Sequence, residues 1–180
     1  MASPVVIILA AGKGERFLAS GAASHKLDAL LEGVPVLTHV ISAVKASGLP
    51  WHLVRPDGGT SGMGESIALG VNQTADAPGW LILPGDLPRV QSTTLQRVAT
   101  ALTGKSLVVP YFRQRNGHPV AFSRHYFSAL VVLEGDKGAR NIVRQARQRG
   151  EVTQLPLDDP GIVQDVDTLD DLRFMHVTPC

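Results

Sequence analysis

The stretch VVIILAAGKGERF, residues 5–17, decides the fold. Five apolar residues in succession, Val5, Val6, Ile7, Ile8 and Leu9, read as a strand buried on both faces, as strands are inside a parallel sheet covered by helices. Side chains then dwindle. Ala10, Ala11, Gly12 and Gly14 form a turn whose backbone N–H groups a ligand can approach closely, and Lys13 and Arg16 add positive charge. A small cationic loop at the carboxyl end of a buried first strand is where open α/β sheets take phosphorylated ligands. The loop is therefore read as a nucleotide site.

Bulk properties narrow the classes. The chain has 180 residues, enough for one α/β domain with a real core and too few for two comfortable ones, so a single domain over 1–180 is expected. A net charge of +1 gives no general electrostatic case for nucleic acid, which needs a basic face. Any bound anion must be caught locally. Cys180 is the only cysteine, which excludes a disulfide framework or thiolate metal cage and fits a reducing compartment. The N-terminal apolar run lacks a charged leader and is far short of a membrane span. It reads as core strand, and the protein as cytoplasmic, with no membrane partner.

Working outward, residues 18–24 are a small, flexible connection to His25 and Lys26. Pro35 opens a helix carrying Val36, Leu37, Val40, Ile41 and Val44, stopped by Gly48 and Pro50. Residues 51–55 have room for one short strand, and a glycine-rich turn over 56–62 leads into a helix from Gly64 that fades near Asn72. Residues 80–83 form a buried strand that halts at Pro84-Gly85-Asp86-Leu87-Pro88. Ser92 or Thr93 then caps a helix with Leu95, Val98, Ala99 and Leu102 on one face. Residues 107–112 and 118–123 form a hairpin around Asn116-Gly117, so one strand runs antiparallel to the rest. Residues 126–133 and 139–149 are helical, 152–157 and 162–166 are late strands, and Thr168 with Asp171 caps a last helix. The whole is an α/β protein, a three-layer α/β/α Rossmann-like sandwich around a mostly parallel sheet with one antiparallel strand.

The glycine loop is not the dinucleotide fingerprint, whose third glycine is missing, nor a Walker loop, since no GKS or GKT follows. The wider set is more specific. LAAGKGER followed by Lys26, GMGES at 62–66, PGDLP at 84–88, GHP at 117–119, GDKGAR at 135–140 and DVDTLDDL at 165–172 together resemble the molybdenum-cofactor nucleotidyltransferases, and among them the molybdopterin cytidylyltransferase branch. These motifs stand in order along nearly the whole chain. The resemblance implies a Mg²⁺-dependent nucleotidyltransferase that moves a nucleoside monophosphate from a triphosphate to the terminal phosphate of molybdopterin and releases pyrophosphate. LAAG, where guanylyl relatives tend to LAGG, favours CTP. A recipient apo-molybdoenzyme is a further partner by likeness. The near alternatives are a molybdopterin guanylyltransferase and a sugar-phosphate nucleotidyltransferase, and the alternative of another class is a shortened, non-catalytic nucleotide- or cofactor-binding protein.

Residue chemistry agrees with such a reaction. An ionised phosphate oxygen attacking an α-phosphorus needs two anions brought into line and their charge neutralised, rather than a strong base. By resemblance Arg16 and Lys26 clamp the triphosphate, and Leu9, Ala10, Ala11, Gly12, Gly14, Gly62, Gly64, Ser66, Pro84 and Gly85 surround the nucleotide. Asp86, where a buried strand stops, suits a hard cation with water completing its octahedron. Asp165 or Asp167 supplies a second carboxylate. Period-two geometry puts both on one face of a strand, so spacing does not choose between them, and the resemblance favours Asp167. GMGES at a helix start offers free N–H groups. By the same resemblance His118, with Arg113 and Arg115 close in sequence, and Asp136, Lys137 and Arg140 are expected to face the second substrate and grip the molybdopterin phosphate and pterin. No zinc motif is present. Two departures from the family stand out: a longer spacer between Arg16 and Lys26, and room for one strand between Gly48 and Gly62 where relatives fit a strand, a helix and a further strand. The sheet is expected to lack that edge unit.

Overall fold

A computed structural model describes residues 2–12, 18–21 and 25–177 of the chain. Its first strand, β1 (Val5–Leu9), lies between two parallel neighbours, β4 (Trp51–Val54) and β5 (Gly79–Pro84), with Ile7 opposite His52 on one side and Ile82 on the other. A separate two-stranded hairpin, β2 (Leu30–Leu31) with β3 (Val34–Pro35), precedes helix α1 (Val36–Ser47). Helix α2 (Met63–Gln73) links β4 to β5, and α3 (Ser92–Leu102) follows β5. The sheet continues through β6 (Leu107–Phe112), β7 (Arg115–Asn116), β8 (Val120–Ser123) and β9 (Val152–Pro156). Its order is β4-β1-β5-β8-β6-β7, with β9 parallel to β6 on the far edge. β8 runs antiparallel between β5 and β6, as expected, and the two-residue β7 is antiparallel as well.

The unbroken apolar run of β1 is explained by its two faces. Val6 and Ile8 pack with Leu81, Leu83 and Val108 under α1 and α3, while Ile7 and Leu9 pack with Val54, Ile82 and Val109 under α2. Burying each such side chain is worth roughly 1.5–3 kcal/mol, so both layers depend on this strand. The helices α4 (Phe127–Leu130) and α5 (Arg140–Gln148) cover the second face through Leu130 and Ala146, and α6 (Leu169–Val177) covers the first through Leu172. Because α1 and α2 leave β1's neighbourhood on opposite faces, the crevice at the carboxyl ends of β1 and β5 is a topological switch point, where open α/β sheets bind ligands.

β4 is the outermost strand on its side, and residues 55–62 pass directly into α2, so the expected edge unit is absent. Gly48 ends α1 in the left-handed conformation at φ +77°, with its N–H donating to the Lys45 carbonyl. The last helix has its expected box: Asp171 Oδ2 accepts the N–H groups of Asp167 and Thr168 at 2.9 Å, and the Asp171 N–H donates to Thr168 Oγ1 at 3.3 Å.

Four local expectations are corrected. Residues 162–166 are no strand. Ile162 ends a 3-10 turn, Pro160–Ile162, residues 163–166 continue without regular structure, and their backbone is used elsewhere: the Ile162 carbonyl accepts the His118 N–H and the Val166 N–H donates to the Asp86 carbonyl. The hairpin turns at Arg113 and Gln114, both with positive φ, rather than at Asn116-Gly117. Gly117 serves a close approach instead, since a Cβ there would lie 2.5 Å from the Ile162 carbonyl oxygen. Neither Ser92 nor Thr93 caps α3; the buried Asp159 carboxylate accepts from the Gln91 N–H and the Thr94 hydroxyl. Residues 126–133 form only the short α4 after a 3-10 turn, Arg124–Tyr126.

Candidate active site

Three segments meet at the carboxyl end of β1 and β5. The Gly85 N–H donates to the Leu9 carbonyl at 2.8 Å, and the Val166 N–H donates to the Asp86 carbonyl at 2.9 Å. The backbone thereby brings Gly12, Asp86 and the 165–167 segment around one cavity of about 450 Å³. Leu9, Ala11, Gly12, Lys26, Gly62, Ser66, Pro84, Gly85, Asp86 and Asp167 all line it, together with Asp136. Ala10 is buried beside it in the first core. Arg16 and Gly14, expected in the phosphate clamp, lie outside the described residues, as do Lys13 and Cys180.

Lys26 Nζ stands 2.9 Å from Asp86 Oδ2, each side chain 17% exposed. Asp86 and Asp167 share this cavity, whereas Asp165 faces an adjoining cleft with Asp86, Arg115 and His118. The two acids two residues apart are thus separated because their segment is not a strand. Burial raises the Asp165 carboxyl above its usual value, and the negative charges of Asp86 and Asp167 push it further. A neighbourhood that disfavours one more negative charge is one that favours a cation. Among the described residues no group of three or more His, Cys, Asp or Glu side chains forms a closed cage. Two hard oxygen donors with room for phosphate oxygens and water are what Mg²⁺ requires, so the residues present fit the ion.

The GMGES segment works differently from its reading in sequence. The Gly64 N–H donates to the Gly135 carbonyl at 2.8 Å, and a Cβ on Gly64 would lie 2.5 Å from the Glu134 carbonyl oxygen. These glycines dock α2 against residues 134–136 and do not merely open space for a ligand. Ser66 is buried, its hydroxyl 2.6 Å from that of Thr60 and 3.0 Å from the Gly62 carbonyl, which shapes the cavity wall.

A second cavity, of about 380 Å³, lies on the other side of Met63. Its floor is apolar, from Ile67, Ile82, Val109, Val120, Phe122 and Val143, and its rim carries Lys137, Arg140 and Arg147. His118, Lys137 and Arg140 line this cavity together, while Asp136 lines the first. Burial lowers the His118 pKa to about 4, the nearby Asp165 charge opposing the shift, so the ring is neutral at physiological pH. Arg113 packs over the Phe112 ring, 5.0 Å from its centroid. Sequence reasoning passed over Met63, which lines both cavities, and Arg147, seven residues beyond Arg140 on the same helix. That helical spacing was the available signal for Arg147; Met63 had only its place between two glycines.

A crevice at a topological switch point, lined by Lys26 and the carboxylates of Asp86, Asp136 and Asp167, with an apolar cavity carrying Lys137, Arg140 and Arg147 next door, is an arrangement found in the ligand-binding α/β class. The chain belongs to the MobA-like NTP transferase domain family, which residues 6–152 match. It is 31% identical over 120 residues to the purine catabolism protein PucB of Bacillus subtilis (strain 168), a match covering 66% of this chain and 58% of that protein, less than two thirds of its length. The fold is that of Rv0371c from Mycobacterium tuberculosis H37Rv, with TM-score 0.82 at 23% identity over 98% of this chain and 99% of that one. Rv0371c has also been solved as a complex with manganese, with TM-score 0.78 at 22% identity over 99% of this chain and 100% of that one. The nucleotidyl transferase Mth528 from Methanothermobacter is similar at TM-score 0.80 and 20% identity, covering 97% of this chain and 96% of that one. Among the described residues no helix is long and apolar enough to cross a membrane.

Proposed function

We propose that this chain transfers CMP from CTP to the terminal phosphate of molybdopterin, in a reducing, cytoplasmic setting, with a recipient apo-molybdoenzyme as the onward partner. The observation that carries this reading is the abutment of the two cavities at Met63, with Asp86 reaching the cleft between them. The larger cavity takes the triphosphate, with Lys26 and Arg16 on its phosphates, the β1 loop (Leu9, Ala10, Ala11, Gly12, Gly14) and Pro84-Gly85 beneath, and Gly62, Gly64 and Ser66 toward the base. The second takes the acceptor. An acceptor phosphate oxygen bonds to the α-phosphorus, the bond from that phosphorus to the bridging oxygen breaks, and pyrophosphate leaves with the electron pair. Orientation and charge neutralisation supply the rate. Asp86 and Asp167 hold Mg²⁺, which when bound screens the phosphate charge, and Asp165 is the alternative ligand. His118, neutral, is a hydrogen-bonding group rather than a charge, and Lys137 and Arg140 hold the acceptor's anionic end, with Asp136 at the partition.

The apolar floor suits the face of a ring system such as a pterin, whose polar groups lie at its edge toward Asn116, His118, Lys137, Arg140 and Arg147, better than a hexose, which presents hydroxyls all round. Pyrophosphate release, measured with CTP or GTP against molybdopterin or a hexose 1-phosphate, tests the reading. CTP with molybdopterin is expected to exceed every other pair at least tenfold. GTP preference would replace the base assignment, turnover of the sugar phosphate would replace the acceptor, and binding of CTP without release would leave a non-catalytic binder.

A further inference from the structure

We propose that His25 is a positioning residue for the nucleotide loop, holding Gly12 to the Lys26 turn through a single imidazole in one fixed tautomer; this rests on the larger cavity being the triphosphate site. The Leu27 N–H lies 3.1 Å from His25 Nδ1. A backbone amide can only donate, so Nδ1 accepts and the ring proton resides on Nε2. From there it is donated to the Gly12 carbonyl at 2.6 Å. One side chain thereby ties the carboxyl end of the first strand's loop to a turn thirteen residues later. Gly12, His25, Lys26 and Leu27 all line the larger cavity.

Among the described residues no other hydrogen bond joins residues 10–12 to residues 25–27. Lysine is a point charge on a flexible stem, so where its ammonium can reach is governed by where its backbone is fixed. Because His25 precedes Lys26 in the chain, the Nε2 bond to Gly12 by itself ties the lysine's backbone to the loop, the Nδ1 bond from the Leu27 N–H serving to fix the tautomer, and the Lys26 side chain reaches Asp86. Holding the loop and the lysine turn in register before the ligand arrives lowers the ordering cost of binding. His25 acts only through the loop and the lysine it connects.

Two conservative variants divide the two bonds. Glutamine carries a donor near the imidazole Nε2 position and can still reach Gly12; asparagine carries an acceptor near the Nδ1 position and can still take the Leu27 N–H. With CTP and Mg²⁺ in a calorimeter, His25→Ala and His25→Asn are expected to weaken binding about three- to tenfold, the worth of one side chain to backbone bond. His25→Gln is expected to stay within about twofold of wild type, and molybdopterin binding to be equal in all. Imidazole ¹⁵N resonances of the wild-type protein are expected to show a protonated Nε2 and a bare Nδ1. Equal weakening in all three variants, whatever their melting temperatures, overturns the proposal, as does His25→Asn binding like wild type or a ring protonated on Nδ1. A wild-type protein that binds neither CTP nor GTP removes the nucleotide reading and this inference together; one that binds with the variants in the wrong order removes only the inference.

Discussion

Lys26 Nζ and Asp86 Oδ2 are 2.9 Å apart, two groups from distant segments that line one cavity and each have a use for a different partner. The ammonium satisfies a carboxylate suited to a metal ion, and the carboxylate satisfies a cation suited to phosphate. A triphosphate arriving with its metal offers both a new partner, so the pair exchanges rather than simply breaks. Lys26→Met is therefore expected to raise the affinity for Mn²⁺ or Mg²⁺ alone, by roughly three- to tenfold, since an adjacent positive charge has gone. CTP affinity should fall by about ten- to a hundredfold, the worth of a charge-assisted bond. Calorimetric titration of metal alone and then nucleotide measures both. Unchanged metal affinity would show that the ammonium does not compete for Asp86.

The two acids of the 165–167 segment face different spaces, and this separates their roles experimentally. Asp167 shares the larger cavity with Asp86, while Asp165 adjoins His118 and Arg115. Asp86→Asn and Asp167→Asn are each expected to lower the rate of pyrophosphate release by about 10²–10³ or more, in line with removal of an electrostatic group from a transition state. Asp165→Asn should stay within about tenfold of wild type, because Asp165 lines the adjoining cleft and not the cavity assigned to the triphosphate. Single-turnover rates at saturating Mg²⁺ decide it. A larger loss at Asp165 than at Asp167 would reverse the choice of metal ligand.

The core and the crevice were legible because both are written in local pattern. An apolar run with no polar interruption must be covered on two sides, and Pro84-Gly85-Asp86 can only end a strand. What escaped was use of a residue by a distant partner. Gly117 reads as a turn former, but its missing side chain makes way for Ile162; Gly64 reads as a helix start with a free N–H, but that N–H is taken by the Gly135 carbonyl and its bare Cα faces Glu134. The apolar residues Ile162, Val163 and Val166 look like a strand, yet their backbone is committed to His118 and Asp86, which no periodicity reveals. His25 gave no sign beyond standing next to Lys26. Function-bearing loops differ from strands in this respect, since their conformation is set by single contacts from afar rather than by a repeat.

Glycines around the site fall into two kinds that alanine distinguishes. A Cβ on Gly64 would sit 2.5 Å from the Glu134 carbonyl oxygen, backbone against backbone with no flexible side chain to yield, whereas a Cβ on Gly12 meets nothing within 4 Å. Gly64→Ala must displace the 134–136 segment, which carries Asp136 to one cavity and leads into Lys137 at the other. The expected cost is about 1–3 kcal/mol, or a melting temperature lower by roughly 2–12 °C for a chain of this size. Acceptor KM should rise with it. Gly12→Ala should melt like wild type and weaken only CTP, since its methyl would project where the ligand approaches. Equal melting temperatures for the two variants would mean that the loop docking contributes nothing to stability.

His118 makes folding stability depend on pH in a direction that can be worked out. In the unfolded chain the imidazole takes a proton near its ordinary 6.5, whereas in the folded protein burial holds it to about 4. Between those values the unfolded state binds more protons, so stability falls as pH drops from 6.5 toward 4 and is insensitive to this group above 6.5. The full effect is of order 3 kcal/mol. Asp165, its carboxyl raised chiefly by burial, works in the opposite sense, gaining stability for the folded state as pH falls, so the histidine must be isolated by difference. Urea melts of wild type and His118→Asn at pH 7.5, 6.0, 5.0 and 4.5 are expected to converge in slope above pH 6.5 and to diverge below it, the variant losing less stability per pH step. NMR titration of the wild-type ring should show no protonation at pH 6. A ring that titrates near 6.5 would mean that His118 is solvated, and with it the cavity rim that holds it beside Asp165.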